Sequence, residues 1–127
     1  MKQEQKELLL KDLCGRLPYG VKVQTTYINP RTKERKDIGT DVLSTVEISM
    51  LIDGYEEHKP YLFPLSSMSD EQKIIYGDLC YAIIHSLAWD TQAALNELND
   101  WLNKNHFDHN NLIPKGLAND ATNLNVY

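Results

Sequence analysis

At Pro18 and Gly20 the apolar period of this chain changes from that of a helix to that of a strand. Before the change, Leu9, Leu10, Leu13, Cys14 and Leu17 recur at helical spacing, and Pro18 and Gly20 cannot comfortably extend the pattern. A first helix is therefore predicted over residues 3 to 16. Beyond it, Val21, Val23, Thr25 and Tyr27 alternate with Lys22, Gln24 and Thr26, one set on each face of a strand that ends near Asn29 and Pro30. The wholly polar segment Arg31 to Asp37 follows as a solvated hairpin tip or long turn. A second β-rich stretch, Ile38 to Ile52, holds Val42, Val46, Ile48 and Ile52, is too long for one flat strand, and is expected to bend or break near Ser44 or Ser49. Asp53 and Gly54 signal a turn, and Tyr61 to Leu65, bounded by Pro60 and Pro64, is expected as an edge strand or irregular extended piece.

The second half is helical in pattern. Ser69 and Gln72 match a capping box, and Asp70 and Glu71 suit the positive end of a helix dipole. The helix that starts there carries a broad apolar stripe of Ile75, Tyr76, Leu79, Cys80, Ile83, Ile84 and Leu87. Asp90 or Thr91 can cap a third helix, with Ala94, Leu95, Leu98, Trp101 and Leu102 as its buried face and a stop near Asn105. The tail from His106 is expected to pack as an extended segment through Phe107, Leu112, Ile113 and Leu117, with its last residues frayed. Strands in a cluster followed by helices in a cluster give a single α+β domain over residues 1–127. Its expected parts are an N-terminal helix, a small antiparallel sheet of about three to five strands, two C-terminal helices and an extended tail. Closure of the strands into a small barrel of the Sm or SH3 kind is the alternative architecture.

A chain of 127 residues can bury a sizeable core without a disulfide or a metal. The hydrophobic share of 42% with 24% charged residues lies far from compositions that stay disordered. Met1 to Asp12 has no secretion-signal pattern, and the apolar run Leu79 to Ile84 is far short of the roughly 20 residues a bilayer requires. No membrane contact and a cytoplasmic location are therefore expected. Cys14 and Cys80, each among apolar neighbours on a predicted helix, are expected in the core rather than in a disulfide. Residues 1 to 36 carry nine Lys or Arg against four Asp or Glu, and residues 37 to 127 four against fourteen. Such a separation can steer a partner, whereas the net charge of −5 argues against general nucleic-acid affinity.

His106, Asp108 and His109 are the residue types of a zinc or iron site, but no distant Cys or His pair completes a familiar ligand set. His106 is instead expected to end the third helix and His109 to lie exposed. His58 and His85 stand alone. The glycines are isolated, so no phosphate loop is formed, and no G-x-S-x-G or activated cysteine is present. The pairs Asp70-Glu71 and Glu56-Glu57 fit a helix start and a turn. No catalytic residue, metal or cofactor is assigned. Arg31, Lys33, Arg35 and Lys36, with Tyr27 below them, form the candidate ligand-binding cluster, because cations neutralise phosphate and an aromatic ring stacks on bases. Tyr55, Tyr61 and Phe63 form a second candidate surface, suited to protein contact.

Leu13 to Val23 (LCGRLPYGVKV), Lys59 to Met68 (KPYLFPLSSM), and Trp101 to Asp108 (WLNKNHFD) continuing to Leu112–Ala118 are distinctive strings. Through them the chain resembles a family of small uncharacterised proteins of anaerobic gut bacteria and their phages. The resemblance implies a phage or mobile-element setting and action in the host cytoplasm. Where similar proteins tend to read aromatic-Arg-Gly after the Phe-Asp pair, this chain has His109, Asn110 and Asn111. The leading expectation is a non-enzymatic accessory protein that binds a protein partner, another macromolecule or itself. The alternatives are a nucleotide or RNA binder using the basic hairpin, including a counter-defence ligand sponge, and a hydrolase using His106 and Asp108.

Overall fold

The computed structural model describes residues 2–54, 56–87 and 89–127, the side chains of Ile38, Glu56 and Glu57 excepted. Helix α1, Gln3–Arg16, starts where the Gln5 side chain accepts the Lys2 backbone N–H. It passes into a short 3-10 turn at Leu17–Tyr19, and Gly20 leaves that turn with φ 68°, a left-handed conformation that glycine adopts without a Cβ clash. Strand β1, Lys22–Ile28, buries Val23 and Thr25, as the alternating pattern requires. Strand β2, Arg35–Val42, pairs antiparallel with β1 through a bulge at Thr25/Thr26. The strand thus begins within the segment expected to be wholly a solvated turn, because ladder bonds to Ile28, Tyr27 and Thr26 engage Arg35, Lys36 and Asp37 whatever their polarity.

The stretch expected to be strand up to Ile52 is corrected after Val42. Helix α2 covers Thr45–Asp53, and Ser44 is its cap, not a bend in a strand. Ser44 Oγ accepts the Val46 N–H, while Glu47 reaches back to the Ser44 N–H at 3.0 Å, so two orphan donors are satisfied reciprocally. At the other end Gly54, φ 79°, donates its N–H to Leu51 O. The Asp53-Gly54 turn signal is therefore the close of a helix. The β-branched residues Val46, Ile48 and Ile52 that suggested strand ride on a helix fixed by its two ends.

Strand β3, Glu56–Leu62, is antiparallel to β1, and the two-residue strand β4, Asn119–Asp120, is parallel to β3. The order β2-β1-β3-β4 is thus mixed, not purely antiparallel, and it forms an open sheet curled into a half-barrel. β3 begins earlier than the proline-bounded segment and carries Pro60 buried within it, opposite Val23. Helices α3, Asp70–Ile84, and α4, Thr91–Lys104, form a hairpin. Ser69 and Gln72 make the expected capping box on α3.

The main core joins Leu9 and Leu13 of α1 to Val21, Val23, Leu43, Leu51 and Leu62, and to Leu112, Leu117 and Ala118 of the C-terminal segment. A second cluster, Met68, Leu102 and Phe107, lies under the hairpin with Phe63, Tyr76, Leu98 and Trp101 against it. The cysteines are free but not core residues: Cys14 is exposed and Cys80 half-buried. Nor does the tail fray, since the Tyr127 hydroxyl donates to Tyr61 O at 2.7 Å and accepts the Lys22 N–H at 2.9 Å. Replacing Ser44 with Ala should lower stability by about 1 kcal/mol and the melting temperature by roughly 4 °C, through loss of the α2 cap. Thermal melts by circular dichroism test this, and an unchanged midpoint would mean that packing alone holds α2.

Candidate functional site

The apolar face of α1 also carries Asp12 and Arg16, four residues apart and both buried. Arg16 Nε donates to Asp12 Oδ2 at 2.7 Å, and Nη2 donates to Asp12 Oδ1 at 3.1 Å and to Phe107 O at 2.7 Å. Asn110 Nδ2 adds a bond to Asp12 Oδ1 at 2.8 Å. The loop that follows α4 is thereby wrapped around one buried ion pair. Asp108 gives both oxygens to that loop, accepting the N–H groups of Leu112 and Ile113 at 2.9 and 3.0 Å. His109 shares a 2.8 Å hydrogen bond with Asn103 Oδ1 and is half-buried, which corrects the expectation that it is exposed.

His106 follows α4 with φ 61° and stacks on Tyr127, ring centroids 3.9 Å apart and planes 10° from parallel. Its Nδ1 and Arg16 Nη1 are buried without a hydrogen-bond partner among the described residues. Burial, with the Arg16 charge beside it, pushes the His106 imidazole down to about 4. Burial also lowers His109, seconded by Arg16 and opposed by Asp12 and Asp108. Burial of the Tyr127 hydroxyl, enclosed by the backbone of Lys22 and Tyr61, pushes it up to about 12. In β3, burial lowers fully buried His58 against the opposing charge of Glu47.

The three residues that suggested chemistry thus share a loop but aim at separate partners. Asp108 is occupied as a backbone cap, His109 holds Asn103, and His106 backs onto Tyr127. Among the described residues, no group of three or more His, Cys, Asp or Glu is arranged to hold a metal ion. The arrangement is a structural lock.

The basic hairpin is divided by its own geometry. Asn29 Oδ1 accepts the Arg31 and Thr32 N–H groups, and Lys33 turns the tip with φ 62°. Arg31 and Lys33 sit at this tip, whereas Lys36 is the cross-strand partner of Tyr27, which is 39% exposed. Arg35 lines a cleft of about 150 Å³ with Gln5, Lys59, Lys115 and the Leu9 and Leu117 side of the core. Of the aromatic candidates, Tyr55 lies outside the described residues. Tyr61 and Phe63 are half-buried, and Phe63 packs on Phe107 and Tyr127 with centroids 6.4 and 5.9 Å away.

A further bare apolar surface lies elsewhere, on α3 and the turn after it. α3 contains no buried residue, and its main packing partner is α4. Ile74, Tyr81, Ile84, Leu87 and Trp89 are 65%, 63%, 76%, 59% and 78% exposed. The sequence pattern had Ile84 and Leu87 in one broad stripe and did not single out Ile74, Tyr81 or Trp89. The signal was nevertheless present, because Ile74 and Tyr81 stand opposite Tyr76 and Ile83 on the wheel. A helix apolar on both sides needs cover on both. No family model, curated protein or solved structure matches this chain. Among the described residues, no helix is long and apolar enough to cross a membrane.

The buried histidines set a pH dependence. His106 has a folded value of about 4 against an ordinary 6.5, so protons bind the unfolded chain first. Stability should be greatest above the ordinary value, fall as the pH drops from 6.5 towards about 4, and level off below it with respect to this residue. Urea denaturation across that window should show a falling midpoint, less steep in His106→Gln. Equal slopes in the two proteins would remove His106 as a cause, leaving His58 and His109, which shift in the same direction.

Proposed function

We propose that this protein is a non-enzymatic accessory protein that works by docking to another macromolecule or to itself, and that its docking surface is the outer face of the α3–α4 hairpin. The observation that carries this reading is the exposure of Ile74, Tyr81, Ile84 and Trp89, each above 60%, on one supersecondary unit. Soluble monomers rarely leave contiguous apolar patches beyond about 300–600 Å², and larger ones mark interaction sites. A phage or mobile-element origin, with action in the host cytoplasm, belongs to the same proposal and is supported by the sequence resemblance. Native mass spectrometry is expected to find species heavier than the 14.6 kDa chain, either on its own or after incubation with host lysate. An Ile84→Ser/Trp89→Ser double variant should abolish them while keeping its helical circular dichroism. A strict monomer that retains nothing, or complexes untouched by the double variant, would sink the reading.

A second reading is favoured by the cleft where Arg35 meets Lys59 and Lys115. Three cations from distant parts of an acidic chain converge there, which suits a phosphate-bearing ligand such as a nucleotide. Titration with ATP followed by calorimetry is expected to show binding that weakens with salt and is lost in Lys59→Glu/Lys115→Glu. Heat unchanged by salt or by the variant removes this reading.

A further inference from the structure

Gly77 is the one glycine of six for which the protomer gives no reason. Gly20, Gly39, Gly54 and Gly116 take positive φ, and a Cβ at Gly15 would press on Asn103 Nδ2 at 3.3 Å. Gly77 has ordinary helical backbone in the middle of α3, and a Cβ there would meet nothing within 4 Å. Apart from proline, glycine is the least favoured residue at such a position, so a free-standing hairpin would be more stable with alanine.

Its surroundings supply the reason that the protomer lacks. Ile74, Gly77, Tyr81 and Ile84 are spaced three, four and three residues apart and fall on one side of α3. Tyr76, Leu79, Cys80 and Ile83 fall on the other side and are half-buried, on the side that carries the contact with α4. The outer seam is therefore a knob-bearing stripe about three turns long, with a notch at its centre where a second backbone can come close. Axes approach to about 8 Å only where the contacting side chains are small.

Resting on the docking reading, we infer that the occupant is α3 of a second copy, crossing antiparallel at Gly77 about a two-fold axis. The stripe is self-complementary in that direction: with Gly77 at the crossing, Ile74 on one side of the notch meets Tyr81 of the other copy, and the same contact repeats by symmetry. Charge disfavours the other orientation. A parallel pair would set the exposed Asp70 and Glu71 of the two copies side by side, whereas the antiparallel pair holds them at opposite ends of the contact. The area is sufficient. Ile74, Tyr81, Ile84, Leu87 and Trp89 together leave on the order of 800 Å² bare, about what each partner contributes to a standard interface.

Sedimentation equilibrium of the intact chain tests this. A dimer with a micromolar dissociation constant is expected. Gly77→Leu should weaken it by more than about tenfold while the melting temperature of the dilute monomer holds or rises, the opposite of what a structural glycine would show. Ile84→Lys should likewise give a folded monomer, and it decides the matter if Gly77→Leu does not fold. A dimer indifferent to the folded variants overturns the inference. So does a wild-type chain that stays monomeric at high concentration. If that monomer still holds a host protein through Ile84 and Trp89, the docking reading survives alone; if it holds nothing, both fall.

Discussion

Arg16 ends α1 by giving its guanidinium to three acceptor sites, two on Asp12 and one on the Phe107 carbonyl, with no solvent exposure. An ion pair placed so deeply gains little net stability over well-packed apolar groups, but losing one partner leaves a buried charge that costs about 3–5 kcal/mol. Its consequence is positional. The Phe107 carbonyl has no other reason to face α1, and Asn110 approaches Asp12 from the same loop, so the chain leaving α4 must cross the end of α1. Once it does, Asp108 caps the following turn, Leu112 and Leu117 drop into the main core, and Asn119 reaches the edge of β3. That guanidinium, together with the backbone bonds of Phe63 to His106 and Asp108, registers the C-terminal segment on the rest of the chain.

The same crossing explains why the histidines are structural. Phe107 and Asn110 bring the loop against the Arg16 ion pair, so a second positive charge is unwelcome there. His106 and His109 are held neutral by burial and by Arg16, and the ring of His106 is used as a flat surface for Tyr127. Nothing in the residue types His-Phe-Asp-His distinguishes a ligand set from such a lock. The partner that decides between them, Arg16, lies 91 residues from Phe107.

What could be read from the sequence follows the range of the interactions involved. The α+β class, α1, β1, α3 and α4 are set by local period and by caps such as Ser69 with Gln72, and these were legible. α2 was missed although its capping box, Ser44 with Glu47, is as local as that of α3. Its residues Val46, Ile48 and Ile52 satisfy a strand period as well as a helical one, and β-branched types tipped the balance. The parallel β4 and the anchored Tyr127 were beyond reach, because two residues pair with β3 only after the tail has been placed by contacts about a hundred residues apart in sequence. The basic cluster was legible as composition but not as a site. Strand alternation sends Arg35 and Lys36 to opposite faces, a separation that follows only once β2 is known to start at Arg35.

The hairpin shows how the lock bears on the proposed docking. Phe107, whose carbonyl receives Arg16, stacks its ring on Trp101 at 5.6 Å, and Trp101 lies 6.4 Å from Tyr76 on the inner side of α3. A continuous line of packed groups thus runs from the buried ion pair to the helix whose outer side is bare. That second cluster is small, with Met68, Leu102 and Phe107 its buried members among the described residues, so on its own it would hold α3 loosely. Fixing Phe107 from behind restrains Trp101 and, through it, the direction in which Ile74, Tyr81 and Ile84 face. A docking surface loses affinity with every degree of freedom left to it, so the proposed docking would depend on this restraint. On the docking proposal, the burial of a charge in the body of the protein serves the apolar face at its edge.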